Sequence, residues 1–432
     1  MSPEIIGLLF IILMLVMIFS GIWIGVAMAL AGFLGYVALE GWDKAVGMVG
    51  IEPFAQIFSY TFTCIPLFMF MGAIAARSNL VSDLYETATK WVGQLRAGLG
   101  IATVAATAVF SAVCGSSFAA DVTMGRIAIP EMRKHGYHPG LSAALVAAAA
   151  TMGALIPPSL AFIIYGVLTE QSVGQLFMAG VFPGILEALF YIGTLMIIGR
   201  IRPRYFPSSA PRVTWGKRFS SLRLTAPVLV LILVIMGGIY GGFFTPTEAA
   251  GVGCLFVVII AIALRRLKFR DFTGAVAETV ISTAMIVLLI TGAFILMRVI
   301  TVSGLAEWLA GLIAGLSVSR YWILLMIILF YIVLGCFIDM VAMTILTVPI
   351  IYPIIVALGF DPLWFGVIMV RVGEVGLITP PIGMNVFVLS ASCDIPVGTI
   401  FRGVGPFVAA DVVHIALLVA VPEIALWLPR TM

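Results

Sequence analysis

Four strings of the sequence hold the residues best able to do chemistry. They are Cys114-Gly115-Ser116-Ser117 with Asp121, Gly153 to Pro157-Pro158-Ser159, Gly335-Cys336 with Asp339, and Gly373-Glu374 to Gly376, Thr379 and Pro380-Pro381. Each interrupts a long apolar stretch. Where Gly and Pro break a helix, the broken ends carry unpaired carbonyls that can ligate a cation and unpaired N–H groups that attract an anion. Ser116 and Ser117 add hydroxyl oxygens, and Gly115, Gly153, Gly335, Gly373 and Gly376 permit close backbone approach. Together these suit a sodium ion held beside a carboxylate-bearing solute. Isolated glycines elsewhere read as helix-packing residues.

Ionisable side chains in apolar spans cost about 2.5–3.5 kcal/mol at the bilayer centre, so each needs a partner or a use. Asp121, Asp339, Arg371 and Glu374 are the candidates. Arg371 and Glu374, three apart on one helix, either pair with each other or touch a ligand directly. Asp339 follows the Gly335 break and could help hold a cation, whereas Asp121, followed by Arg126, reads as heading for the cytoplasmic surface. Other chemistries find less support. His135, His138 and His414 lack metal-ligand spacing, and Gly216-Lys217 lacks the rest of a phosphate loop. The five cysteines stand singly and read as small apolar packing residues. An intramembrane hydrolase on Ser116, Ser117, Asp121 or Asp339 would want a histidine at that depth or a Gly-x-Gly setting, and neither is present. A passive anion channel is the other alternative.

The elements that must position these strings are membrane helices. Of 432 residues, 62% are hydrophobic and 10% charged, against roughly 25% charged in a soluble domain. A formal charge of +3 excludes a nucleic-acid binder, which needs a dense cationic patch. A span takes about 20 apolar residues. Full crossings are expected at about 4–20, 22–39, 54–76, 140–168, 175–199, 224–243, 247–264, 272–298, 363–390 and 402–428. Two further apolar regions, 98–130 and 320–356, are broken near their middles. The segment 200–223 carries seven cations and no acid, and Arg265, Arg266, Lys268 and Arg270 form a second cluster. Both belong in the cytoplasm by the positive-inside rule. Counting crossings from there, 98–130 must enter and leave on one side as a re-entrant hairpin, and the N-terminus lies outside. The segments 77–97 (Leu80, Leu84, Ala88, Trp91, Leu95) and 299–319 (Leu305, Trp308, Leu309, Leu312) read as amphipathic helices along the interface. The basic clusters also offer contacts to lipid headgroups.

At an offset of 223 residues, eight backbone-breaking positions coincide: Pro130/Pro353, Gly136/Gly359, Pro139/Pro362, Gly153/Gly376, Pro157/Pro380, Pro158/Pro381, Gly180/Gly403 and Pro183/Pro406. With 44 Gly and 22 Pro in the chain, chance yields about one such match or fewer over that stretch. Paired interruptions of this kind point to a secondary transporter built from repeats. The expected organisation is a first repeat at 1–199 with hairpin 98–130, a basic linker at 200–223, and a second repeat at 224–432 with hairpin 320–356. Parity gives the halves inverted topology, with hairpins entering from opposite faces.

The paired hairpins, the Gly-Ser-Ser tip after Cys114, and above all Glu374-Val-Gly-Leu-Ile-Thr-Pro-Pro-Ile-Gly-Met-Asn385 resemble the large membrane subunit of tripartite ATP-independent periplasmic (TRAP) transporters. The resemblance covers essentially the whole chain. It implies an all-α elevator-type carrier in a bacterial inner membrane, importing an organic acid with a sodium gradient. No organic cofactor is implied. The partners would be a small four-helix membrane subunit, on a separate polypeptide because the chain opens directly on its first repeat, and a periplasmic binding protein. One sodium would sit among Gly115, Ser116, Ser117, Thr151 and Gly153, and a second among Gly335, Asp339, Gly373, Gly376 and Thr379. The substrate would lie between the tips, near Ser116, Ser117, Pro157, Pro158, Arg371, Pro380, Pro381 and Asn385. Dicarboxylates, sialic acids and similar carboxylates fit equally.

Overall fold

A computed structural model of the chain describes residues 2–207, 213–314 and 318–432. Arg212 of the basic linker and residues 315–317 of the expected segment 299–319 lie outside the described residues. The first half forms α1 (Pro3–Phe19), α2 (Ile24–Glu40), α3 (Trp42–Ile57), α4 (Cys64–Arg77), α5 (Leu80–Val92), α6 (Gly98–Cys114), α7 (Ser117–Lys134), α8 (Pro139–Ala150), α9 (Met152–Leu155), α10 (Leu160–Thr169) and α11 (Val173–Ile201). The second forms α12 (Trp215–Tyr240), α13 (Pro246–Ala263), α14 (Phe269–Val302), α15 (Leu305–Ala314), α16 (Arg320–Gly335), α17 (Met340–Ala357), α18 (Pro362–Ile378), α19 (Met384–Cys393), α20 (Val397–Ala420) and α21 (Glu423–Leu426). Among the described residues there is no strand. Among the described residues, eight helical segments are long and apolar enough to cross a membrane. Large apolar side chains such as Leu233, Leu255, Ile262 and Met326 are more than half exposed, as suits a surface covered by lipid or by another membrane subunit.

The expected crossing at 54–76 is divided. A 3-10 turn at Tyr60–Thr63 separates α4 from α3, a helix the hydropathy pattern did not anticipate. Pro66 falls in the first turn of α4, where a missing N–H costs nothing. α3 buries Ala45, Met48 and Glu52, and Arg298 of α14 donates to the Glu52 carboxylate. The stripe expected on 77–97 is only partly a helix face. Leu80 and Leu84 are buried in α5, which packs on α6 and α12, while Leu95 lies past its end and is exposed. Segments 140–168 and 363–390 are each interrupted, at Thr151 and 156–159 in the first and at 379–383 in the second.

The expected hairpins are α6–α7 and α16–α17, and the ends of each come together. Just past α7, Tyr137 Oη accepts the Leu99 N–H at 3.3 Å. At the other hairpin, the rings of Tyr321 and Phe360 lie 5.8 Å apart. α11, with 29 residues, is about 44 Å long. Past its C-terminus, Tyr205 O accepts from His138 N–H at 3.3 Å, beside the ends of the first hairpin. Before its N-terminus, Gln171 donates to Tyr352 Oη of α17 at 3.1 Å. The two hairpins therefore open toward opposite ends of α11.

Element bounds recur along the chain. α17 begins and ends 223 residues after α7, and α18 runs 223 residues on from the start of α8 to the end of α9. Contacts between the halves are reciprocal: α2 packs on α14 and α13 on α4, α8 on α20 and α18 on α11, α10 on α17 and α19 on α7. The α2–α14 contact is backbone to backbone, since a Cβ on Gly292 would lie 2.2 Å from Gly25 O and one on Gly32 2.8 Å from Leu296 N. α8 is buried from Gly140 to Ala150, its alanines letting α6, α7 and α20 approach.

Candidate transport site

Each hairpin tip is seated on a helix break in its own half. α6 stops because Gly115 takes a left-handed conformation (φ +61°), which a side chain would disfavour. Ser116 is extended and caps α7, its Oγ accepting from Ala119 N–H at 3.5 Å. A Cβ on Gly115 would lie 2.6 Å from Pro158 O, and one on Gly153 2.8 Å from the carbonyl carbon of Ser116. Leu160 N–H donates to Gly115 O at 3.3 Å. Across the break, Ser159 caps α10 by accepting from Phe162 N–H at 3.3 Å. The second tip repeats the plan. Asp339 caps α17, one oxygen accepting from Val341 and Ala342 N–H at 3.0 and 3.2 Å. Gly335 faces Gly373 O at 2.6 Å from its ideal Cβ, and Gly376 faces Gly335 Cα at 2.6 Å.

The two tips share one cavity of about 40 Å³, lined by Gly115, Ser116, Ser117, Ala154, Leu160, Asp339, Met340, Glu374 and Leu377 among others. It has room for about one water-sized species. Six helix ends surround it: N-termini of α7, α10 and α17, and C-termini of α6, α9 and α18. Ser117 Oγ donates to Glu374 Oε1 at 2.6 Å, so the first tip is also tied to a helix of the second half. Ser117→Ala leaves that carboxylate oxygen unpaired in the interior. Uptake by the assembled transporter is expected to fall several-fold while the folded yield holds, measured against Ser392→Ala, whose hydroxyl bonds only its own helix. Beside this cavity and sharing Ser116, Phe118 and Leu160 lies a larger one of about 360 Å³, between the first hairpin and the helices α4 and α14. Glu278 lines it and pairs with Arg77 at 2.9 Å.

The sequence-derived residues divide by position. Gly115, Ser116, Ser117 and Gly153 meet at the first tip; Gly335, Asp339, Gly373 and Gly376 meet at the second. Pro157 and Pro158 are at the first break, with Pro158 O against Gly115, and Pro380 O accepts from Cys336 Sγ at 3.5 Å. Thr151 and Thr379 turn their hydroxyls elsewhere, Thr379 to Val375 O at 2.6 Å and Thr151 toward α11. Asn385 and Asp121 are fully buried, so Asp121 is not a residue on its way to the surface.

Arg371 takes neither of its two expected roles. It is fully buried and its guanidinium is engaged by side chains of α11 and α20: an ion pair with Glu187 at 3.3 Å, and hydrogen bonds to Asp411, the Tyr191 hydroxyl at 3.4 Å and His414 Nδ1 at 3.0 Å. Its ion pairs are with Glu187 and Asp411, while Glu374 bonds Ser117. Glu187 Oε1 also accepts from the Thr151 hydroxyl at 2.7 Å, and Tyr191 Oη lies 3.1 Å from Thr151 Oγ1. The network joins α11, α18 and α20 to the break at Thr151 and contributes no lining to the cavity. Glu187 and Asp411 were findable, because each is an acid in an apolar span; their pairing with Arg371 was not.

An all-helical bundle with lipid-facing apolar surfaces and paired hairpin tips over one cavity is a multi-pass membrane protein of the transporter class, not an enzyme. The chain belongs to the tripartite ATP-independent periplasmic transporter family, as its DctM component: the family model so described matches residues 11–424. The C4-dicarboxylate TRAP transporter large permease protein DctM of Pseudomonas aeruginosa is 34% identical over 89% of this chain and 90% of its own length. The sialic acid TRAP transporter large permease protein SiaM of Vibrio cholerae is 30% identical over 96% of both. Among solved structures, the Alcanivorax borkumensis YdaH transporter covers 100% of this chain and 99% of its own at a TM-score of 0.66, with 14% identity, a likeness of fold alone.

Proposed function

We propose that the chain is the carrier subunit of a sodium-coupled importer of an organic acid. The acid reaches it from a periplasmic binding protein, and a small membrane subunit supports it in a bacterial inner membrane. The observation that carries this reading is the ring of six helix ends around the cavity between the tips. N-terminal dipoles favour a carboxylate and C-terminal carbonyls a sodium ion, in one enclosed place. Relatives that carry C4-dicarboxylates and sialic acid agree with an acidic solute. A cavity of about 40 Å³ is too small for such a solute, so transport needs the tips to part or the solute to use the adjoining cavity of about 360 Å³.

The hairpins are re-entrant from opposite faces in this reading, as their placement at opposite ends of α11 supports. The first opens to the cytoplasm, the side that gathers Arg77, Lys134, Arg202 and Arg266. α2, α4, α13 and α14 form the frame and the hairpins with α8–α11 and α18–α20 the moving unit of an elevator. The halves at 1–199 and 224–432 are its inverted repeats, joined by the linker 200–223. The first sodium sits at Gly115, Ser116, Ser117 and Gly153, and the second at Gly335, Asp339, Gly373 and Gly376.

Uptake into proteoliposomes holding the chain with its partner proteins tests this. An inward sodium gradient should drive accumulation; equal uptake with and without the gradient would mean a passive channel. Ser116→Ala and Asp339→Asn are each expected to raise the sodium concentration for half-maximal uptake several-fold. Sodium dependence unchanged in both removes the assignment of the tips.

A further inference from the structure

Three polar side chains that the tips do not fully use lie together beneath the first hairpin. Asp121 of α7 is fully buried, and neither carboxylate oxygen has a hydrogen-bond partner. Glu374 of α18 is equally buried and spends Oε1 on Ser117, leaving Oε2 unpartnered. Asn385 of α19 is enclosed with both amide atoms unpartnered. An enclosed polar group without a partner is rare enough to need a reason. Here three stand on α7 and α18, which the Ser117–Glu374 bond joins, and on α19, which packs on both.

Their placement follows from the helix register. Ser117 and Asp121 are one turn apart on α7, so Asp121 lies on the face that Ser117 turns to Glu374, and the two carboxylates are within electrostatic reach of each other. α19 runs beside that face: a Cβ on Gly125 would lie 2.7 Å from Leu389 Cδ2 and 3.6 Å from Cys393 Sγ. α7 and α19 both run away from the level of the cavity, so one turn back along each from Gly125 and Leu389 puts Asp121 and Asn385 at the same level. Among the described residues neither Asp121 nor Glu374 forms a salt bridge. Arg371, whose charge Glu374 feels, is already paired with two other carboxylates, Glu187 and Asp411. Two more carboxylates in the same interior call for a counter-charge.

We infer that Asp121, Glu374 Oε2 and the Asn385 side-chain oxygen hold a sodium ion, at a third cation site distinct from the two at the tips. All the donors are hard oxygens, with no nitrogen or sulfur ligand among them. Three side chains fall well short of the 6–8 oxygens calcium takes, and a monovalent ion suits the small set. The bound ion would bridge α7 of the first half to α18 and α19 of the second, so that its release loosens the first hairpin from the helices beneath it.

The test is the number of sodium ions bound per chain, read by equilibrium binding of radioactive sodium to the detergent-purified full-length protein. Asp121→Asn is near-isosteric and should lower the saturating count by one, as should Asn385→Leu. Ser116→Ala combined with Asp339→Asn should lower it while leaving the ion that responds to Asp121. An unchanged count in folded Asp121→Asn or Asn385→Leu overturns the third site, including the case in which a proton occupies it. Wild-type protein that binds no sodium overturns the sodium reading of the tips as well. Sodium binding that falls in the tip variants alone overturns only this inference.

Discussion

Arg371→Met should prevent recovery of a folded, monodisperse chain in detergent. The side chain is fully buried, and its removal leaves Glu187 and Asp411 facing each other in the interior with no cation between them. Breaking a buried ion pair from one side costs about 3–5 kcal/mol, because the remaining charge keeps its desolvation penalty and loses its partner. Arg371→Lys should be nearly as damaging: one ammonium cannot reach Glu187, Asp411, Tyr191 and His414 in the planar fork that a guanidinium provides. The cause can be separated from lost packing. Adding Glu187→Gln and Asp411→Asn to Arg371→Met removes the stranded charges and should restore a large part of the thermal midpoint. A midpoint equal to wild type in Arg371→Met alone would mean the network carries no stability. Failure of the triple variant to recover any would mean that shape, not charge, is what Arg371 supplies.

That Arg371 belongs to a closed network rather than to the cavity could not be read from its neighbours in sequence. The spacing to Glu374 suggested a pair because residues three apart share a helix face. A shared face nonetheless allows divergent directions, and α11 and α20 pack on one side of α18 while the first hairpin tip packs on another. Thr151 went the same way. Its position at a helix break made it a sodium candidate, yet its hydroxyl is drawn to Glu187 of α11, a contact that exists only once the two helices meet. Asp121 was misplaced for a related reason: Arg126, five residues on, suggested a path to the surface, but the second turn of α7 is enclosed by protein, with Ala120, Asp121 and Met124 all buried.

What could be read was anything that depends on backbone continuity. Gly and Pro act locally, so their recurrence at an offset of 223 located the breaks in α8–α10 and α18–α19 and the ends of both hairpins to within a few residues. Charge in loops is also a local property, and the basic segments do gather: Arg266 pairs with Asp83, and Thr87 Oγ1 donates to Ser221 O of the linker side at 3.1 Å. α3 escaped because Asp43, Lys44 and Glu52 dilute its hydropathy, although its buried face is apolar apart from the Glu52 that Arg298 neutralises.

The largest effect on transport is expected from Gly376→Ala and Gly153→Ala. In Gly376→Ala the new methyl carbon would sit 2.6 Å from Gly335 Cα, 2.7 Å from Gly335 C and 2.8 Å from Ile332 O. In Gly153→Ala it would sit 2.8 to 2.9 Å from Ser116 C, Ser116 O and Ser117 N. Every one of these atoms is backbone, so no rotamer change can make room, and the tip must lift from the break on which it rests. Overpacking of this kind costs about 1–3 kcal/mol, and a shift of a few tenths of an ångström suffices to open a cage of carbonyls around a small ion. Uptake at saturating sodium and solute should drop by about tenfold or more, as a loss of about 1.4 kcal/mol in the carrying step already implies. Gly193→Ala and Gly251→Ala, which meet nothing within 4 Å, should match wild type in uptake, with a slightly higher thermal midpoint from the greater helix propensity of alanine. If Gly376→Ala transports normally, the second tip parts from α18 without penalty. A sodium ion bound between Gly335 and Gly376 would then have no fixed carbonyls to hold it, and coupling would have to be sought at the first tip alone.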